Sequence, residues 1–124
     1  MIVIDTSAVV AILLKESDAE TYIAKIEADY QPLMASPTFV ELNAVMKFRH
    51  GKMIRTVIDQ FIKSSQITIE PFTHEQALIA CEAYYKFGSL NFGDTYSYAL
   101  AKAKKVPLLF KGNDFSKTDI RSCI

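Results

Sequence analysis

The chain opens with Met1-Ile2-Val3-Ile4-Asp5-Thr6-Ser7, and this stretch decides how the rest is read. Three branched apolar residues run into an acid and two hydroxyls, and an apolar helical pattern follows at once. A short β-branched run predicts a buried strand, because branched side chains pack well on a pleated surface. An acid at its exit stands where open α/β sheets place ligands, in the crevice beyond the strand ends. Asp5 is therefore the first candidate member of a carboxylate cluster. The structural alternative is a helix N-cap, a role that Thr6 or Ser7 would fill equally well.

Working outward, Ser7 to Lys15 is apolar almost all round, as expected of a helix packed on a sheet. Ser17-Asp18-Ala19-Glu20 matches a capping box and predicts a second helix to about Ala28. Pro32 to Ala35 reads as a second strand. Ser36-Pro37 reads as an N-cap followed by proline at the first helical position, opening a third helix to about Arg49. Met53 to Lys63 predicts a fourth helix, and Ile67 to Pro71 alternates as a third strand. Thr73-His74-Glu75-Gln76 is another capping box, for a fifth helix ending near Gly88. Asn91 to Lys105 reads as a sixth helix, Val106 to Phe110 as a fourth strand, and Ile120 to Ile124 as a fifth at the edge. Strands separated by one or two helices imply crossover connections and a mainly parallel sheet. The expected class is α/β: a three-layer α/β/α sandwich with about four to five strands, formed by residues 1–124 as one domain.

Composition narrows the function classes. A chain of 124 residues can bury roughly two-thirds of its unfolded surface. Fourteen basic and fourteen acidic side chains cancel, so no global positive charge announces a nucleic-acid binder. Any polyanion contact must come from local patches or bound cations. Cys81 and Cys123 are far apart and form no metal-binding or redox pair, which reads as reduced thiols in a cytoplasmic protein. No apolar run reaches the roughly 18–20 residues needed to span a bilayer, and no basic segment precedes Ala8 to Leu14 to make it a signal peptide. A G-x-S-x-G elbow, a Walker loop and a G-x-G-x-x-G fingerprint are all missing.

Four acids call for more than a solvated surface. Asp5 exits a strand. Glu41 lies among Phe39, Val40, Leu42, Val45 and Phe48 on what reads as an inward stripe, with no lysine or arginine one turn away to pair with it. A buried carboxylate needs a partner, so another helix or a metal must supply one. Asp94, in Asn91-Phe92-Gly93-Asp94, opens a packed helix; complementing the helix dipole is its structural reading. Asp114 follows the fourth strand in the turn Lys111-Gly112-Asn113-Asp114, whose residues are also ordinary turn formers. If the first and fourth strands are neighbours, Asp5 and Asp114 overhang one crevice. Carboxylates gathered this closely repel, and a cation is the natural remedy. An all-oxygen donor set without His or Cys suits Mg²⁺ or Mn²⁺ rather than zinc, and its chemistry is metal-assisted phosphoryl transfer or hydrolysis.

Asp5-Thr6-Ser7-Ala8, Glu41-Leu42, Leu90-Asn91-Phe92-Gly93-Asp94 with Tyr98-Ala99-Leu100-Ala101, and Phe110 through Phe115 together resemble the PIN domain. Within it they are most similar to the VapC-type toxins of toxin–antitoxin pairs. The resemblance implies a metal-dependent endoribonuclease using Mg²⁺ or Mn²⁺, a homodimer, silenced by a small antitoxin. It implies catalytic roles for Asp5, Glu41, Asp94 and Asp114, with Asp5, Asp94 and Asp114 on the metal. Gly112 and Asn113 stand where many relatives carry an acid, so Asp114 takes that place. Ser7 would hold a metal-bound water or a carboxylate, and Asn91 would support or cap. The implied reaction is hydrolysis of an RNA phosphodiester by an activated water.

Two other readings remain open from the residues alone. A haloacid-dehalogenase-like phosphatase also begins with a strand ending in Asp, but it needs a second Asp where this chain has Ser7. A non-catalytic α/β module could use the acids for a structural cation, although Lys105 and Lys111 are poorly placed to pair with Asp5 in the receiver manner. Lys47, Arg49, His50, Lys52 and Arg55 form a basic cluster that reads equally as a solvated helix end or an RNA track. Tyr84, Tyr85 and Phe87 read as core or dimer contacts before base-stacking groups.

Overall fold

The computed structural model describes residues 1–124. In chain order the elements are β1 (Ile2–Ile4), α1 (Thr6–Leu13), α2 (Ala19–Ala28), β2 (Pro32–Ala35), α3 (Ser36–His50), α4 (Ile54–Ser64), β3 (Thr68–Glu70), α5 (His74–Lys86), α6 (Asp94–Lys104) and β4 (Leu108–Leu109). The sheet has the order β3-β2-β1-β4, and every pairing is parallel. β1 thus lies inside the sheet, with Val3 opposite both Leu33 and Leu108.

Alternation along the strands divides the core. Ile2, Ile4, Met34 and Leu109 point to one face and pack against α1 to α4 through Val9, Ile12, Tyr22, Ile26, Leu42, Met46 and Ile58. Val3, Leu33, Ala35 and Leu108 point to the other, against Ala83 of α5 and Tyr98, Leu100 and Ala101 of α6. Three layers result, because a short strand buried on both faces needs a helical cover on each. No helix is long and apolar enough to cross a membrane.

Several local expectations change. The fifth strand reduces to one parallel bridge between Leu108 and Ser122. Ile120 is held instead through its neighbour Asp119, which accepts hydrogen bonds from Tyr98 Oη (2.5 Å) and Lys102 Nζ (2.9 Å). β4 keeps only Leu108–Leu109 as strand, although Val3 N still donates to Pro107 O at 3.0 Å. Neither Ser17 nor Ser36 caps a helix: Asp18 and Ala35 occupy the flanking positions without a side-chain cap bond, and Ser36 is already helical. Thr73 does cap α5, accepting from Gln76 N at 3.1 Å. The buried face of α3 is Thr38, Leu42 and Met46. Val45 is only half-buried and Phe48 is 93% exposed, so the stripe on which Glu41 was expected to face inward is displaced by about one residue. Tyr84 and Tyr85 are exposed rather than in the core, whereas Phe87 packs on Tyr98.

Candidate active site

All strand exits lie at one end of the sheet because all strands run the same way. Asp5 leaves β1 there, and Asp5 N donates to Leu109 O of β4 at 3.0 Å. Lys111 N, just beyond β4, donates to Ser7 Oγ at 3.0 Å. The two strand exits are therefore stitched together, as the paired crevice requires. α3 follows β2 and α6 returns to this end, so the first turns of both helices open onto the same place.

Asp5 is 3% exposed. Its Oδ2 accepts from Ser7 N (3.1 Å) and Ser7 Oγ (2.7 Å), which makes it the N-cap of α1 as well. Its Oδ1 accepts from Ser97 Oγ at 2.6 Å. Capping and site membership are thus one arrangement.

Asn91 and Asp94 form a reciprocal capping box. Asp94 N donates to Asn91 Oδ1 at 2.9 Å and Asn91 N donates to Asp94 Oδ2 at 3.0 Å. The box fixes the Asp94 side chain, 7% exposed, facing Asp5 and Asp114. Burial, reinforced by repulsion from Asp5 and Asp114 and opposed by the Asn91 N–H, pushes its carboxyl up to about 7.

Glu41 finds its partner on another helix: Thr6 Oγ1 donates to Oε1 at 2.5 Å. Burial, partly offset by that bond and strengthened by Asp5, raises its carboxyl above the usual range. The carboxylate lies directly over Gly93, where a Cβ would fall 1.7 Å from Oε2. Gly93 has helical backbone, φ −64°, so its need for glycine is steric and comes entirely from Glu41. Glu41 also borders a cleft of about 530 Å³ lined by Ser36, Pro37, Val40, Phe92 and Tyr96.

Asp114 is exposed, on a loop held by Ser89 Oγ donating to Asp114 O at 2.8 Å. Lys111 anchors the same loop by ion pairs to Glu16 and Asp18 (3.0 Å to the latter), which raise its ammonium and lower Asp18. Lys111 Nζ is thereby occupied away from Asp5, which leaves no receiver-like Lys–Asp pair.

All four sequence-selected acids are thus drawn to one end of the sheet, linked through Asp5 and Asp94. Thr38 and Ser97 escaped the sequence reading, while Thr6 and Gly93 stood in its motifs without their contacts to Glu41. A buried hydroxyl one turn from each helix-borne acid was the available signal for Thr38 and Ser97, but ordinary core packing explains such residues equally well.

Fold and acid arrangement together define a class. The chain belongs to the PIN domain family, whose pattern matches residues 2–121. Within that class it is similar to VapC ribonucleases. Ribonuclease VapC42 of Mycobacterium tuberculosis is 40% identical over 126 residues, covering 96% of each chain. Ribonuclease VapC28 of the same species is 38% identical over 130 residues, covering 98% of this chain and 97% of its own. Solved structures share the fold. The M. tuberculosis VapC20 toxin, described as sarcin–ricin loop cleaving, superposes with TM-score 0.79 at 18% identity over 97% of this chain and 96% of its own. VapBC2 of Rickettsia felis, solved on a promoter DNA fragment, gives 0.75 at 17% identity over 98% and 96%.

Proposed function

We propose that this chain is a metal-dependent endoribonuclease, the toxin of a type II toxin–antitoxin pair. The observation that carries the reading is the convergence of Asp5, Glu41, Asp94 and Asp114 on one crevice of a PIN domain, with no basic side chain paired to Glu41 or Asp94. The similarity to VapC ribonucleases supports RNA as substrate.

The donor set fits Mg²⁺ or Mn²⁺. Asp94 and Glu41 are both held protonation-prone by burial and by neighbouring acids, a strain that a cation relieves. No three acids close into a ready-made cage, so the ion would be held by one or two carboxylates together with waters and substrate phosphate, as Mg²⁺ commonly is. Asp5 and Asp94 would hold the ion, with Asp114 reaching in from its loop. These residues would place a divalent ion where it would supply Lewis-acid polarisation of the phosphate and charge stabilisation at the leaving oxygen. Glu41, its Oε1 fixed by Thr6, presents Oε2 to orient the attacking water and take its proton, a task suited to a carboxyl raised above the usual range. Ser7 supports Asp5 rather than the substrate.

Lys47, Lys52 and Arg55 line a second cleft that shares Val40 with the one beside Glu41, and this continuity favours an RNA path over a merely solvated helix end. Exposed Val40, Phe48, Met53, Tyr84, Tyr85 and Phe92 provide apolar area for a second copy and a small antitoxin. Toxin–antitoxin complexes from Klebsiella pneumoniae and R. felis share the fold. The site of action is the cytoplasm, where the RNA is.

The test is incubation with total RNA in Mg²⁺, in Mn²⁺ and in EDTA, beside Asp5→Asn. Cleavage in either metal that disappears with EDTA and with Asp5→Asn supports the reading. Equal cleavage by Asp5→Asn from a clean preparation overturns it.

A further inference from the structure

Asp5 is oriented from two sides, and the second side lies outside the motif that carries it. Ser7 supplies both donors to Oδ2, a local arrangement within one turn. A carboxylate held at one oxygen still turns about its terminal torsion, whose well is broad. The opposite oxygen, Oδ1, is held by Ser97 Oγ at 2.6 Å, from α6. Ser97 Oγ also lies 3.3 Å from Thr38 Oγ1 of α3, and Ser97 and Thr38 are both 0% exposed. Ser97 has one proton, and a carboxylate only accepts. That proton therefore goes to Asp5, and Thr38 must donate to Ser97. The result is a directed chain: Thr38 O–H to Ser97 O–H to Asp5 Oδ1.

Placement gives this chain its consequence. Thr38 is one helical turn before Glu41, and Ser97 is one turn after Asp94. The relay ties β1 to the two helices that carry Glu41 and Asp94, across sequence separations of 59 and 92 residues. Oδ2 already takes two donors, so the lone pair left for an ion is on Oδ1, the oxygen that Ser97 aims.

We infer that Ser97, backed by Thr38, is a positioning residue that sets the Asp5 carboxylate for a divalent cation. The inference rests on reading these acids as metal ligands. Partners of this kind behind a ligating carboxylate typically govern metal affinity by about 10- to 100-fold.

The test measures Mn²⁺ binding directly, from the paramagnetic resonance signal of free Mn²⁺, on the parent, Ser97→Ala, Thr38→Val and Thr38→Ser. Cleavage of RNA is followed in parallel across the Mn²⁺ series. Ser97→Ala should weaken Mn²⁺ binding by about tenfold or more, with the metal-free melting curve still cooperative, and cleavage should recover as Mn²⁺ is raised. Thr38→Val should weaken binding less, and Thr38→Ser should restore it. Binding by Ser97→Ala within about twofold of the parent overturns the inference, as does a parent that takes up no Mn²⁺. If Ser97→Ala does not fold, the contrast between Thr38→Val and Thr38→Ser decides in the same terms. A parent that binds Mn²⁺ but leaves RNA intact would refute the ribonuclease reading, while the Mn²⁺ comparison would still judge Ser97.

Discussion

Asp5 and Asp94 stand at the same end of the sheet and are nearly equally buried, at 3% and 7% exposed, yet their surroundings differ. Asp5 has a donor for each oxygen: Ser7 twice on one side and Ser97 on the other. Asp94 has one backbone N–H, from Asn91, and otherwise faces two more acids. Depth below the surface is therefore not what makes a carboxylate costly; the supply of donors is. Asp5 is part of the fold's hydrogen bonding, whereas Asp94 is kept in an environment that only added positive charge improves.

The largest expected effect is on catalysis at the satisfied acid. Asp5→Asn should lower RNA cleavage by about a thousandfold, the upper end of what losing one main electrostatic element of a site costs. Its amide NH₂ would also confront the Ser7 or Ser97 donors, so a lower melting temperature should accompany the loss. Next comes Gly93→Ala, which puts a methyl into the Glu41 carboxylate. Displacing Glu41 from Thr6 should lower kcat by about 100-fold, the low end of the usual range for a general base. An additional Glu41→Gln substitution should then cost little more. If Gly93→Ala leaves kcat unchanged, Glu41 does not act from the position seen here.

Asp94→Asn should show the contrast in stability. Asparagine can still accept the Asn91 N–H while removing the repulsion from Asp5 and Asp114. In EDTA at neutral pH its melting temperature should rise, by about 3 °C or more, the shift that roughly 1 kcal/mol gives a domain of this size. Cleavage should fall even so. A drop in melting temperature in EDTA would mean that the crowding of acids around Asp94 is not felt.

The smallest effect is a matter of pH. Folding raises the Asp94 carboxyl from its ordinary 3.8 to about 7, so the folded state holds that proton more tightly. Its stabilising contribution is full below about pH 4 and is lost as the pH rises through about 7. Metal-free protein should accordingly soften over that window, and Mg²⁺ should raise the melting temperature more at about pH 8 than at about pH 5. Equal Mg²⁺ stabilisation at both values would remove Asp94 from the ion's surroundings.

What could be read from sequence follows the range of the interactions. Asp5 was visible because a β-branched run ends on it, and Asn91 with Asp94 because a capping box is local. Glu41 was singled out for lacking a nearby cation, which holds, but through an inward stripe that fails: Phe48 is almost fully exposed, and Glu41 sits beside the buried row of Thr38, Leu42 and Met46. Periodicity fixes a helix face only to within about a residue, since the angular step is about 100°. The contacts of Ser97, Thr38 and Thr6 were invisible because their partners lie far along the chain, and helix register across a sheet is not a local property. Gly93 leaves no backbone signature at all. The expected fifth strand failed because Ile120 to Ile124 is fastened mainly through Asp119 and one bridge.

The sheet order has a consequence for how the molecule comes into being. β1 is made first but lies between β2 and β4, and β4 arrives near the end of the chain. Contacts so distant in sequence form late in folding, after the local helices. A partly synthesised chain holds Asp5, Glu41 and Asp94, yet it lacks the strand that receives the Asp5 amide and the loop that brings Asp114. The strand that receives the Asp5 amide and the loop that carries Asp114 are therefore the last parts to join this end of the sheet.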